Sequence, residues 1–230
     1  MLFMVAYFVI TLSLAPLGLD VIICTLITDT IISVLGLLYM RQLPACEKRP
    51  LHASYGFYIG SILVFAWLFS QITATYFLTN YQDVGFDAYE TVVSANPTAY
   101  ILLSLVFAPV AEEILMRGVI FRSLKQAMPI GLAYAISSVV FALFHGTLVH
   151  IIVGIVCGLL FAVVYEYTGD IRCNILAHMV YNALSIVLGG VVVLPDVLFS
   201  PWVFGFCDLI LCGVILYELI RVGRIRKVSA

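Results

Sequence analysis

The chain has 230 residues, of which 63 % are hydrophobic and 10 % are charged, and its mean hydropathy is +1.15. A soluble domain of this size does not need so much apolar surface, so the composition excludes one and indicates an all-α, polytopic membrane protein. The net charge of −2 gives no reason to expect a nucleic-acid partner. The six cysteines show no C-x-x-C spacing, and we expect free thiols rather than a disulfide or metal framework.

Apolar stretches long enough to cross the hydrocarbon core, about 17–25 residues each, follow one another along the chain. They predict a bundle of eight transmembrane helices in one domain of residues 1–230, at approximately 2–19, 21–40, 56–79, 98–124, 129–146, 148–166, 173–190 and 199–220. Residues 80–97 are expected to form a loop, which carries acidic residues but no Lys or Arg.

The basic residues indicate the orientation in the membrane, because Lys and Arg concentrate in cytoplasmic loops. They follow the second and fourth spans, precede the seventh and form the C-terminal tail: Arg41, Lys48, Arg49, Arg122, Lys125, Arg172, Arg221, Arg224, Arg226 and Lys227. Eight alternating spans with both termini in the cytoplasm place all of these clusters on the inner side. We therefore expect a multi-pass protein of the cell membrane whose immediate surroundings are the lipid bilayer.

Two adjacent glutamates interrupt the apolar fourth span, where carboxylates are costly and indicate a functional site. Glu113 and Arg117 are four residues apart on one helix face, so we expect them to form an ion pair. Glu112 points elsewhere and has no partner within its own helix, which suits a general base or acid. The alternative is that both glutamates only brace neighbouring helices.

Histidines near the ends of two other spans are the next candidates. His145 ends the run Phe141-Ala-Leu-Phe-His145, and His150, which follows it after an expected turn, is the weaker candidate of the two. A lone histidine in such a place is more often a hydrogen-bonded core residue than a catalyst. His178 and Asn182 are four residues apart and can direct two hydrogen-bond donors at one point, as an oxyanion requires. An interhelical hydrogen-bond pair is the alternative for these two residues.

Taken together, these groups supply a base, two histidines, an amide and an ion pair from three spans of an otherwise apolar sequence. A general base with an oxyanion hole is what water attack on an amide needs, so the set predicts hydrolysis. Counting about 1.5 Å per residue places Glu112 near mid-membrane, His145 toward the outer end of its helix and His178 nearer the inner end. If the three residues act together, either these boundaries are shifted or the helices are tilted around a water-filled cavity.

Three motifs in this order resemble the CAAX protease and bacteriocin-processing (CPBP) family of intramembrane endopeptidases, relatives of the type II CAAX prenyl endopeptidase. They are Glu112-Glu113-Ile-Leu-Met-Arg117, Phe141-Ala-Leu-Phe-His145 and His178-Met-Val-Tyr-Asn182, within a core of about 98–190. An eight-helix layout also resembles that family. The first hundred residues carry no motif and are similar to the family only as hydrophobic spans.

The resemblance implies that Glu112 and His145 activate the attacking water, and that His178 and Asn182 stabilise the oxyanion. It implies a structural or substrate-orienting role for Glu113 and Arg117. Two histidines and a glutamate could also ligate zinc, but the chain lacks H-E-x-x-H and an asparagine beside the second histidine fits an oxyanion hole better. We therefore expect no metal and no other cofactor.

The implied substrate is a membrane-associated peptide or protein, and the short chain looks more like the bacterial branch, which processes secreted peptides or confers bacteriocin immunity. Two other classes remain open. One is a membrane scaffold or regulator of the same family that binds partners without cleaving them. The other is a proton-coupled carrier, against which stands the lack of an inverted repeat. Asp208, inside the eighth span, is expected to contribute to the structure of the bundle.

Overall fold

The computed structural model describes residues 2–44, 46, 53–81 and 84–189, together with isolated positions between 202 and 217. Most of the predicted eighth span, including Asp208, lies outside the described residues. The described ranges form helices only, in the order α1 (Leu2–Leu14), α2 (Val21–Met40), α3 (Ala53–Asn80), α4 (Val84–Ala95), α5 (Pro97–Ala127), α6 (Ile130–Leu143), α7 (Leu148–Thr168) and α8 (Ile171–Gly189).

Five stretches of the described chain are long and apolar enough to cross a membrane, namely Val21–Met40, Ile59–Asn80, Pro97–Ala127, Leu148–Thr168 and Ile171–Leu188. Two shorter apolar helices, Phe3–Leu17 and Ile130–Leu143, occupy the first and fifth predicted spans. The prediction of an all-α, multi-pass membrane protein is confirmed, and the first seven predicted spans coincide with these helices.

The expectation of a loop between the third and fourth spans is wrong, because α4 occupies Val84–Ala95. Its aromatic residues Phe86 and Tyr89 are three positions apart and half-buried, whereas Asp87 and Glu90 are exposed. This is the pattern of a short amphipathic helix, whose hydrophobicity is too low for a span search to find it.

The fourth predicted span is one long helix, α5, with two π-helical stretches at Leu103–Phe107 and Ile114–Phe121. Asn96 caps its first turn by accepting a hydrogen bond from the backbone N–H of Ala99 at 3.2 Å, and Pro97 follows the cap. Pro109 lies inside the helix, where a proline removes one backbone hydrogen bond and crowds the carbonyl four residues earlier. The first π-helical stretch contains that carbonyl, which accounts for the wider turn there.

Helices α6 and α7 pack closely through glycine. A Cβ atom placed on Gly158 would lie 2.8 Å from Cα of Ser138, and one placed on Gly154 would lie 3.0 Å from Cα of Ala142. Neither position has room for a larger residue. Gly146, with φ of 73°, forms the left-handed turn between the two helices, and Thr147 caps α7 by accepting from the backbone N–H of His150 at 3.2 Å. This short connection places His145 in the turn after α6 and His150 in the first turn of α7.

Candidate active site

The two adjacent glutamates of α5 have different surroundings. The Glu113 side chain is fully buried, at 0 % exposure, whereas that of Glu112 is 27 % exposed. Neighbouring residues of a helix point about 100° apart, so one carboxylate enters the core and the other reaches a cavity. The sequence-based expectation that Glu112 and Glu113 point to different places agrees with this geometry.

Glu113 is the centre of a buried polar network. Its Oε1 accepts from Nη1 of Arg117 at 3.0 Å and from Nδ1 of His178 at 2.9 Å. Its Oε2 accepts from Nδ2 of Asn174 at 2.6 Å. One carboxylate thus receives three hydrogen bonds from α5 and α8, and the ion pair expected from the spacing of Glu113 and Arg117 is present.

Arg117 is held on its other side by α7 and by two aromatic rings. Its Nη2 donates to the carbonyl oxygen of Gly158 at 2.8 Å, and its guanidinium lies 4.6 Å from the ring centroid of Phe141 and 5.4 Å from that of Phe161. Cation–π contact and the ion pair together compensate for removing this charge from water. The network therefore joins α5 to α6, α7 and α8.

His178 has its ring orientation and its tautomer fixed by Glu113. The ion-paired carboxylate can only accept, so Nδ1 of His178 carries the shared hydrogen. The opposite nitrogen, Nε2, lies 3.8 Å from Oε2 of Glu112. The ring also stacks on Phe161, with 4.6 Å between centroids, which leaves little freedom to rotate.

His145 lies in the turn after α6, and its Nδ1 is 3.1 Å from the carbonyl oxygen of Phe141. A carbonyl only accepts, so Nδ1 is the donor and a neutral His145 carries its lone pair on Nε2. Asn182 lies one turn after His178 on α8, and its Nδ2 donates to the carbonyl oxygen of Ser104 at 2.8 Å. That bond uses one of its two amide hydrogens.

A cavity of about 370 Å³ brings the four residues assigned to catalysis together: Glu112, His145, His178 and Asn182 all line it. Glu113 and Arg117 do not line it and lie in the core behind it. The different depths obtained by counting residues along straight spans are thus reconciled in one cavity. Among the described residues, no group of three His, Cys, Asp or Glu side chains is arranged to hold a metal ion.

Sequence reasoning missed three contributors to this region. Asn174 is fully buried against Glu113, and the stripe of Asn174, His178 and Asn182 at four-residue intervals was the signal for it. His150 was treated as the weaker neighbour of His145, yet it lines the same cavity. Tyr89 lies on α4, which was expected to be a loop, and no pattern in the sequence indicated that it reaches the cavity.

Comparison with known proteins finds similarity over the motif-bearing part of the chain. Residues 94–184 match the family described as "Type II CAAX prenyl endopeptidase Rce1-like". The match covers the segment that carries the three motifs. A Bacillus subtilis (strain 168) protein named "Putative membrane peptidase YdiL" is 34 % identical over 97 residues, which is 42 % of this chain and 39 % of that protein. No solved structure matches the chain. The resemblance inferred from the three motifs is confirmed over the segment that carries them.

Proposed function

We propose that this multi-pass membrane protein is an intramembrane endopeptidase that hydrolyses a peptide bond in a membrane-associated peptide or protein. The observation that carries the proposal is the convergence of Glu112, His145, His178 and Asn182 on one cavity, with a buried ion pair behind them. The family of residues 94–184 and the name of the Bacillus subtilis relative support a peptidase rather than a carrier.

The proposed reaction begins with a water molecule held between Glu112 and Nε2 of His145. Glu112 accepts a proton as the water oxygen attacks the carbonyl carbon of the substrate, and a tetrahedral oxyanion forms. His178 and the second amide hydrogen of Asn182 stabilise that oxyanion. The carbon–nitrogen bond then breaks, and the proton held by Glu112 passes to the leaving amine. No covalent enzyme intermediate and no metal ion takes part in this proposal.

Glu113 and Arg117 act in this proposal through position rather than contact with the substrate. Glu113 holds Nδ1 of His178, and Arg117 fixes Glu113 against α7. We also propose that the protein lies in the cell membrane with both termini in the cytoplasm, as the basic residues indicate.

The test compares wild type with Glu112→Gln and His145→Gln, purified in detergent and incubated with a library of membrane-associated peptides, with and without EDTA. Asp20→Asn is the control, because it removes an exposed acidic charge away from the cavity and asparagine caps α2 as well as aspartate does. We expect wild type and the control to cleave the same peptides and both site variants to have lost cleavage. We also expect EDTA to leave the cleavage unchanged.

Sensitivity to EDTA would replace the metal-free mechanism by a metal-dependent one on the same residues. If wild type and Glu112→Gln cleaved equally, the assigned base would be wrong. If neither cleaved and Glu112→Gln also retained the cellular function, the protein would be a non-proteolytic scaffold or regulator, such as a bacteriocin immunity protein or a signalling partner.

A further inference from the structure

Helix α4 contributes two aromatic side chains to the lining of the cavity. Phe86 and Tyr89 lie on the same face of α4, and both line the cavity together with Tyr100 of α5 and His150 of α7. We call these four residues the aromatic wall. Glu112 and His145 line the same cavity, so the wall is continuous with the proposed site of hydrolysis.

The rings of the aromatic wall are held in place by one another. The hydroxyl groups of Tyr89 and Tyr100 share a hydrogen bond, and their rings meet edge to face at 5.8 Å. His150 stacks on Phe86 at 5.8 Å and meets Tyr89 edge to face at 4.9 Å. Its ring centroid is 6.4 Å from that of His145. The wall is therefore preorganised beside the group proposed to orient the attacking water.

Charge distinguishes this end of the cavity from an ordinary apolar pocket. Asp87 and Glu90 are exposed on α4, each directly after a residue of the aromatic wall, and residues 80–97 contain no Lys or Arg. The described residues that line the cavity include Glu112 but no Lys or Arg. The nearby charge of Arg117 is compensated by Glu113 in the core. Among the described residues, the Asp, Glu, Lys and Arg side chains on α4 and in the cavity lining are therefore all acidic.

We propose that the aromatic wall is a substrate subsite that takes a basic side chain, lysine or arginine, close to the scissile bond. This inference rests on the proposed endopeptidase function and adds the class of substrate. Aromatic faces attract an ammonium or guanidinium group, and the carboxylates of α4 favour its approach. A neutral apolar side chain would pack on the same rings but would gain nothing from Asp87 and Glu90.

The experiment uses pairs of peptides from a cleaved substrate that differ at one position, arginine against citrulline, which has nearly the same shape without the charge. The variants are Tyr89→Leu and the double substitution Asp87→Asn/Glu90→Gln, with Asp20→Asn and Tyr81→Leu as matched controls outside the cavity lining. Wild type should show a KM about fivefold lower for the arginine peptide. Because the contact is equally present in the ground state and the transition state, kcat should change little.

Tyr89→Leu and Asp87→Asn/Glu90→Gln should both reduce that preference toward unity, whereas Asp20→Asn and Tyr81→Leu should keep it. High salt should weaken the preference in wild type, since the carboxylates of α4 are exposed. Equal KM values for the two peptides, or a lower KM for citrulline, would overturn the inference and indicate an apolar occupant such as a lipid chain. A preference that survives in both Tyr89→Leu and Asp87→Asn/Glu90→Gln would place the basic side chain elsewhere.

Binding of paired arginine and citrulline peptides to Glu112→Gln, followed by fluorescence anisotropy, does not require a cleaved substrate and separates this inference from the proposed function. A charge preference in binding without any cleavage by wild type would refute the endopeptidase and leave the subsite standing. Cleavage by wild type without a charge preference would support the endopeptidase and refute the subsite. Equal binding of arginine and citrulline peptides to Glu112→Gln would refute the subsite.

Discussion

The buried ion pair of Glu113 and Arg117 makes a quantitative prediction about stability. Both side chains are at most 1 % exposed, and each is the other's charged partner at 3.0 Å. In Glu113→Gln the guanidinium stays buried without a counter-ion beside it, with the neutral amide, the Gly158 carbonyl and two aromatic rings as its neighbours. Leaving one buried charge without its counter-ion costs about 3–5 kcal/mol, and Arg117→Met should cost a similar amount because it leaves the carboxylate without its guanidinium partner.

The double variant Glu113→Gln/Arg117→Met distinguishes this charge effect from a packing defect. It removes both charges and leaves neutral side chains of similar size, so it should be more stable than either single variant. The assay is unfolding in mixed detergent micelles with increasing mole fraction of sodium dodecyl sulfate, followed by circular dichroism. Arg172→Met is the control, since the Arg172 ion pair with Asp170 is at the surface and should leave the transition unchanged.

Additive losses in the double variant would refute the reasoning, because they would show that the two residues contribute independently. Single variants within about 1 kcal/mol of wild type would also refute it, since a buried charge cannot lose its partner at so little cost. The variants that replace Glu113 should also lower the peptidase rate of the folded fraction, as His178 loses the anionic acceptor of its Nδ1 hydrogen.

Three further substitutions test separate contacts. Asn174→Ala removes the 2.6 Å donor to Glu113 and should lower the unfolding free energy by about 1.5–3 kcal/mol, and an unchanged transition would show that this bond contributes nothing. Gly158→Ala places a Cβ 2.8 Å from Cα of Ser138 and should lower the unfolding free energy by about 1–3 kcal/mol. Its control is Gly131→Ala, whose Cβ meets no atom within 4 Å and should leave the stability unchanged. Equal unfolding midpoints for the two variants would contradict the packing argument. Asn182→Ala should lower kcat about 10²–10³-fold with little change in KM, and a change confined to KM would remove Asn182 from the proposed oxyanion hole.

Periodicity and composition predicted the helices that lie in the membrane, because an apolar run of sufficient length has few alternatives there. They failed for α4, whose exposed Asp87 and Glu90 lower its hydropathy while Phe86 and Tyr89 face the cavity. A search for apolar spans cannot find such a helix. The three-residue spacing of its aromatic residues is the helical signal that the sequence contains, and it is weak over twelve residues.

Spacing within a helix predicted local pairs well and long-range pairs poorly. The ion pair of Glu113 and Arg117 follows from a four-residue interval, which has the same geometry in any helix. The contacts from Asn174 and His178 to Glu113 join positions 61 and 65 residues apart, and they depend on how α5 and α8 pack. No rule about a single helix contains that information. The resemblance to a family predicted that the three motifs form one site. The spacing of the residues within each helix left this open.

The hydrogen bond from His178 to Glu113 also determines how His178 can act on an oxyanion. Since Nδ1 donates to Glu113, a neutral His178 presents a lone pair on Nε2 and cannot donate to a developing negative charge. His178 can fill the proposed role only with a second hydrogen on Nε2, the nitrogen that lies 3.8 Å from Oε2 of Glu112. The two adjacent glutamates thus lie beside opposite nitrogens of one ring. Glu113 fixes the ring from the core and Glu112 faces the cavity, so neither glutamate can replace the other.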